Sequence, residues 1–127
     1  MKTRKQSILI VEDETSFRRL LIELLDDNGY ITYEAENGEY GQLEFDNHQP
    51  DLIITDIIMP GKEGIEFIRN IRAHNNTIPI IAMSGGSSNF TESYLRASRK
   101  LGANSVLQKP FRPKLLLSTI EELLTQD

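Results

Sequence analysis

Five positions in this 127-residue chain could act together on an anionic group: Glu12, Asp13, Asp56, Ser84 and Lys109. Glu12 and Asp13 follow the apolar run Ser7 to Val11, Asp56 follows Asp51 to Thr55, Ser84 follows Ile78 to Met83, and Lys109 follows Asn104 to Gln108. If those runs are strands of one open α/β sheet, the five residues converge beyond its carboxyl edge, where such sheets bind ligands. Three carboxylates brought together repel, so at least one resists ionisation unless a hard cation lies between them. Magnesium suits that place, since it takes oxygen ligands, keeps several waters and bridges one or two carboxylates to a phosphate. The cluster therefore implies a phosphoryl group nearby. An aspartate carboxylate can itself attack phosphorus to give an acyl phosphate, and Asp56 has the central position. Such a transfer asks the protein for charge compensation and alignment, which magnesium, the Lys109 ammonium and the Ser84 hydroxyl would provide. The chain has no cysteine, and His48 and His74 lie away from the strand ends, so a thiolate or imidazole metal site is not supported.

The elements that must position these residues read as five strand-helix units around a parallel sheet. Ser7 to Val11 is the first strand, and the helix after it carries Phe17, Leu20, Leu21, Leu24 and Leu25 at the offsets of one face until Asn28-Gly29 stops it. Tyr30 to Ala35 reads as the second strand, followed by a weakly patterned helix from about Gly38 to Asn47 that contains Gly41. Asp51 to Thr55 is apolar enough for a central strand buried on both faces. Met59-Pro60-Gly61 is a turn signal, and a third helix over about Glu63 to Ala73 buries Ile65, Ile68 and Ile71 or the stem of Arg72. Ile78 to Met83 is the fourth strand, with Pro79 tolerable only because it stands near the start. Tyr94, Leu95, Ser98 and Leu101 outline a fourth helix ended by Gly102, and Asn104 to Gln108 form the fifth strand. Pro113 opens a last helix that presents Leu116, Ile120, Leu123 and Leu124 on one face.

Composition narrows the class. The length fits one domain over residues 1–127 with a core of its own. A net charge of −5 repels phosphate backbones, which argues against direct nucleic-acid binding. No apolar run approaches the roughly 20 residues of a membrane-spanning helix, and the short run after the basic residues 1–6 is no export signal. A soluble, cytoplasmic protein with a flexible basic tail over 1–6 is expected, and the lack of cysteine suits a reducing compartment.

The ordered set of Glu12-Asp13, Asp56 within the run Asp51 to Gly61, Ser84 after the fourth strand and Lys109-Pro110-Phe111 resembles the response-regulator receiver domain of two-component signalling, over essentially the whole chain. The resemblance implies a CheY-like, flavodoxin-like (βα)5 three-layer sandwich with strand order 2-1-3-4-5. It also implies that Asp56 is the phosphoacceptor and that Mg2+ is held by Asp13, Asp56 and the Ile58 backbone carbonyl, with Glu12 supporting through water. Lys109 would pair with the phosphoryl oxygens, its bond to Pro110 would be cis, and Ser84 would be the switch hydroxyl. The implied partners are a histidine kinase or phosphotransfer protein and a downstream effector or fused output domain. The implied behaviour is a switch that catalyses its own phosphorylation and dephosphorylation rather than an enzyme, with Ile58 and Gly86 flanking the site and influencing hydrolysis. The sequence departs from the family pattern at Val106, where an aromatic residue usually turns inward. A phosphoryl group adds about −1.5 to −2 charge but shifts a population only through contacts that differ between states. The face of the fourth helix, fifth strand and last helix is therefore expected to respond through backbone displacement rather than a ring.

Singly, each of these residues has an ordinary explanation. Glu12-Asp13 could be an acidic helix start, Asp56 a cap, Ser84 a loop residue and Lys109 a surface cation. Gly85-Gly86 fits no nucleotide fingerprint and reads as loop. His48 and His74 read as solvated, while Phe90, Tyr94 and Leu95 could be core or docking face. Two other functions compete with the receiver. A haloacid-dehalogenase-type phosphohydrolase needs an acid two residues after the nucleophile, where Ile58 stands, and a flavin module of similar topology leaves Asp56 and Lys109 unexplained.

Overall fold

Residues 4–57, 63–85, 96–97 and 99–125 are described by the computed structural model. Ile58, Met59-Pro60-Gly61, Gly86, Phe90, Tyr94, Leu95 and Ser98 lie outside the described residues. The strands are β1 (Ser7–Val11), β2 (Ile31–Ala35), β3 (Leu52–Asp56), β4 (Ile80–Gly85) and β5 (Ser105–Lys109). The helices are α1 (Thr15–Asp27), α2 (Gly38–His48), α3 (Glu63–His74), α4, helical at 96–97 and 99–101, and α5 (Pro113–Leu124). No helix among the described residues is long and apolar enough to cross a membrane.

Continuous apolar runs make strands that are covered on both faces, and every residue of β1 and β3 is buried. The sheet is wholly parallel in the order β2-β1-β3-β4-β5, as expected. Alternation along each strand then sorts the core into two layers. Leu9, Val11, Ile53 and Ala82 meet Phe67, Ile68 and Ile71 of α3 on one face. Ile8, Ile10, Ile54 and Met83 meet Leu21 and Leu25 of α1 and Leu116 and Ile120 of α5 on the other.

Several boundaries and faces differ from the sequence reading for identifiable reasons. β4 begins at Ile80, because Pro79 cannot donate to a ladder; its carbonyl accepts from Ile53 N–H at 3.0 Å instead. Leu20 is 63% exposed rather than buried, since α1 turns its Leu21 and Leu25 stripe inward and Leu20 sits about 100° away from Leu21. Phe67 is buried beside Ile68 and Ile71, a position outside the helical stripe expected to face inward. Gly41, which weakens α2 as a helix former, is the contact that lets α2 approach: a Cβ there would lie 3.0 Å from both the Phe67 ring and Val11. Of the basic segment expected to be flexible, Arg4 makes two hydrogen bonds to the Asp51 carboxylate, at 2.7 and 2.9 Å.

At the amino-terminal edge of the sheet, Arg72 gathers the segments that enter β4 and β5. Its guanidinium donates to the Gly102 carbonyl at 2.8 and 3.0 Å, the Asn75 carbonyl at 3.2 Å and Asn104 Oδ1 at 2.9 Å. Asn104 Oδ1 also accepts from Ile80 N–H at 2.9 Å.

Candidate functional site

β3, β4 and β5 each end on a residue singled out in the sequence or one beyond it, so Asp56, Ser84 and Lys109 stand on the sheet rather than in loops. Asp56 pairs in register with Met83, the residue before Ser84, and Lys109 pairs with Gly85, the residue after it. Val11 lies level with Thr55, which brings Glu12 beside Asp56.

Lys109 Nζ lies 2.8 Å from Glu12 Oε1 and 3.0 Å from Asp56 Oδ2. The Glu12 side chain is 1% exposed, Asp56 6% and Lys109 18%. A carboxylate this deep persists only when paired. Burial pushes the Glu12 carboxyl up to about 7, with the Lys109 hydrogen bond opposing and the Asp56 charge adding to the rise. Burial works to lower the Lys109 pKa, but the hydrogen bond to Glu12 and the Asp56 charge outweigh it, so the net shift is upward and the ammonium is retained. Lys109 Nζ also stands 4.4 Å from the centre of the Phe17 ring, and Phe17 meets Phe111 edge to face at 6.0 Å. The Lys109–Pro110 bond is cis.

Glu12, Asp13 and Asp56 each offer a carboxylate oxygen, all within 4.8 Å of one another. Asp13 is exposed, so the group opens to solvent on one side. Glu12 Oε2 accepts from Glu14 N–H at 3.1 Å while Oε1 is taken by Lys109. This all-oxygen donor set fits magnesium by charge and hardness. Among the described residues the buried Ser84 hydroxyl has no hydrogen-bond partner, which is rare for a buried polar group. The first turn of α3 presses directly on the Asp56 backbone: a Cβ at Gly64 would fall 2.5 Å from the Asp56 carbonyl oxygen.

All five described residues singled out in the sequence stand at one sheet edge. The Ile58 carbonyl is outside the described residues. Nothing in the sequence pattern marks Phe17 as a neighbour of the site. For Arg18 the one signal is a long cation inside the first two turns of a helix that directly follows an acidic pair.

The chain belongs to the response regulator receiver domain family, whose model matches residues 8–121. It is a CheY-like receiver domain of the kind found in the response regulators of two-component systems. The KDP operon transcriptional regulatory protein KdpE of Escherichia coli (strain K12) is 42% identical over 105 residues, 83% of this chain and 45% of that protein. The phosphate regulon transcriptional regulatory protein PhoB of the same organism is 32% identical over 119 residues, 92% of this chain and 51% of PhoB. The chain thus spans about half the length of these curated relatives. Among solved structures, the CheY-like receiver domain protein of Methanospirillum hungatei JF-1 superposes with a TM-score of 0.85 at 27% identity, covering 95% of this chain and 94% of that one. Chemotaxis protein CheY4 of Vibrio cholerae gives 0.83 at 28% identity, covering 94% and 99%.

Proposed function

We propose that this receiver takes a phosphoryl group from a histidine kinase or phosphotransfer protein onto Asp56, in the presence of Mg2+, and passes the change to an effector or a fused output domain. The observation that carries the reading is the Asp56 carboxylate, buried and held at 3.0 Å by Lys109 beside two further acids. Asp13 and Asp56 would hold the metal, with Glu12 supporting through water because both its oxygens already accept hydrogen bonds. When bound, Mg2+ would neutralise the acids and the charge developing on the phosphoryl oxygens.

In the transfer, an Asp56 carboxylate oxygen forms a bond to phosphorus as the donor's nitrogen–phosphorus bond breaks, and the imidazole leaves with the electron pair. Lys109, freed from Asp56 Oδ2, follows the charge onto the phosphoryl oxygens, and the Ser84 hydroxyl donates to one of them. Water then attacks the phosphorus of the acyl phosphate, the Asp56 oxygen leaves with the bonding pair as a carboxylate and inorganic phosphate is released, so the chain acts as a switch on its own aspartyl group rather than as an enzyme turning over a separate substrate. Such a switch works in the cytoplasm beside its kinase. The test is labelling by acetyl phosphate with Mg2+, followed by intact mass. One phosphoryl adduct is expected on the wild type and none on Asp56→Asn; equal labelling of the two removes Asp56 from the role.

A further inference from the structure

Arg18 touches none of the groups that would react, yet it is bound to the acidic pocket. Its side chain is 12% exposed and makes two bonds of 2.7 Å, from Nε to Glu34 Oε1 on β2 and from a terminal nitrogen to the Glu12 carbonyl oxygen. That carbonyl belongs to the peptide plane joining Glu12 to Asp13. The plane before it is fixed too, since Glu12 N–H donates to the Ala35 carbonyl at 3.0 Å. Both peptide planes around Glu12 are therefore tied to the end of β2, one by the backbone ladder and one by the Arg18–Glu34 pair.

This tie opposes a definite force. Glu12, Asp13 and Asp56 repel when no cation lies between them, and Asp13 is the exposed member of the three, the one that burial does not hold in place. We propose that Arg18 is a positioning residue: through the Glu12–Asp13 peptide it keeps Asp13 facing Asp56 and thereby sets the affinity of the pocket for its divalent cation, with Glu34 as the brace. The proposal rests on reading the pocket as a Mg2+ site. An arginine suits the task because its planar fork holds two acceptors in fixed directions, which a lysine ammonium does not. Residues that orient metal ligands typically change affinity 10- to 100-fold when removed.

The experiment is calorimetric titration of the unphosphorylated protein with MgCl2, alongside thermal melts in EDTA. Arg18→Met is expected to weaken Mg2+ by about tenfold or more, Arg18→Lys to recover only part of this, and Glu34→Gln to give a smaller loss. The double variant should bind no worse than Arg18→Met, because Glu34 acts through Arg18. Acetyl phosphate labelling of Arg18→Met should be slow at low Mg2+ and approach the wild-type rate at saturating Mg2+. Unchanged Mg2+ affinity in Arg18→Lys, Arg18→Met and Glu34→Gln, with only the melting temperature lowered, overturns the proposal and leaves Arg18 as scaffold. Asp13→Asn separates this from failure of the underlying reading: if it binds Mg2+ like the wild type, the pocket itself was misassigned.

Discussion

A buried hydroxyl without a partner forfeits about 1–3 kcal/mol of hydration, and Ser84 finds no partner among the described residues. Ser84→Ala should therefore leave stability unchanged or raise it by up to about 1 kcal/mol, while slowing acetyl phosphate labelling. Denaturant unfolding and intact mass measure the two effects; a stability loss beyond about 1 kcal/mol would show that the hydroxyl is already satisfied. The residue types of the pocket were legible in the sequence, since Asp56 and Lys109 terminate apolar runs and position alone exposes them. That the Ser84 hydroxyl has no partner among the described residues was not legible, because it depends on what the two strands beside β4 present to it. Phe17 was hidden for a related reason: it satisfies the helical apolar pattern of α1 and also lies under the Lys109 ammonium.

At the level of elements, the entry to β3 is held by Asp51. Its carboxylate accepts from Arg4 at 2.7 and 2.9 Å and from Ser7 N–H at 2.8 Å. The Arg4 guanidinium holds the carboxyl below its usual range, burial works against this, and the Ser7 N–H adds to the lowering. A carboxylate whose folded pKa is lowered contributes stability above its unfolded value, about 3.9, and loses it as the pH falls through the folded one. Asp51→Asn should thus be less stable than the wild type at neutral pH by about 0.5–1.5 kcal/mol, with the gap closing as the pH falls below about 4. Denaturant melts across that range test it, and a gap that persists at the acid end would assign the loss to packing instead. The order and type of the elements were legible, since unbroken apolar runs of strand length alternate with helical patterning. What was not legible was which part of a broad apolar stripe faces in. Leu20 and Leu21 are equivalent in pattern, and only the angle at which α1 lies on the sheet buries one and exposes the other. Gly41 misleads in the opposite direction, since the poor helix former is the residue that allows α2 to pack.

Across the whole molecule, the proposed switch requires that a charge gained at one edge be felt at a distant face. Val106 is partly buried against the α3-side core and lies level with Ala82, so no ring stands there to turn. Phosphorylation is expected to move the backbone at the ends of β4 and β5 and along α5. Amide resonances there, followed by NMR with and without acetyl phosphate, should shift more than those of β1 and β2; unchanged β5 and α5 amides would rule out that face as the reporter.

Arg72 bears on how far such a movement can travel. By joining the end of α3 to Gly102 and Asn104, it pins β5 where the strand enters the sheet, whereas Lys109 leaves it at the opposite end. A strand fixed at its root and pushed at its tip behaves as a short lever. Displacements should grow along β5 toward Lys109 and be handed on to the first turn of α5, and the same anchor spares the entry to β4, where Asn104 holds Ile80.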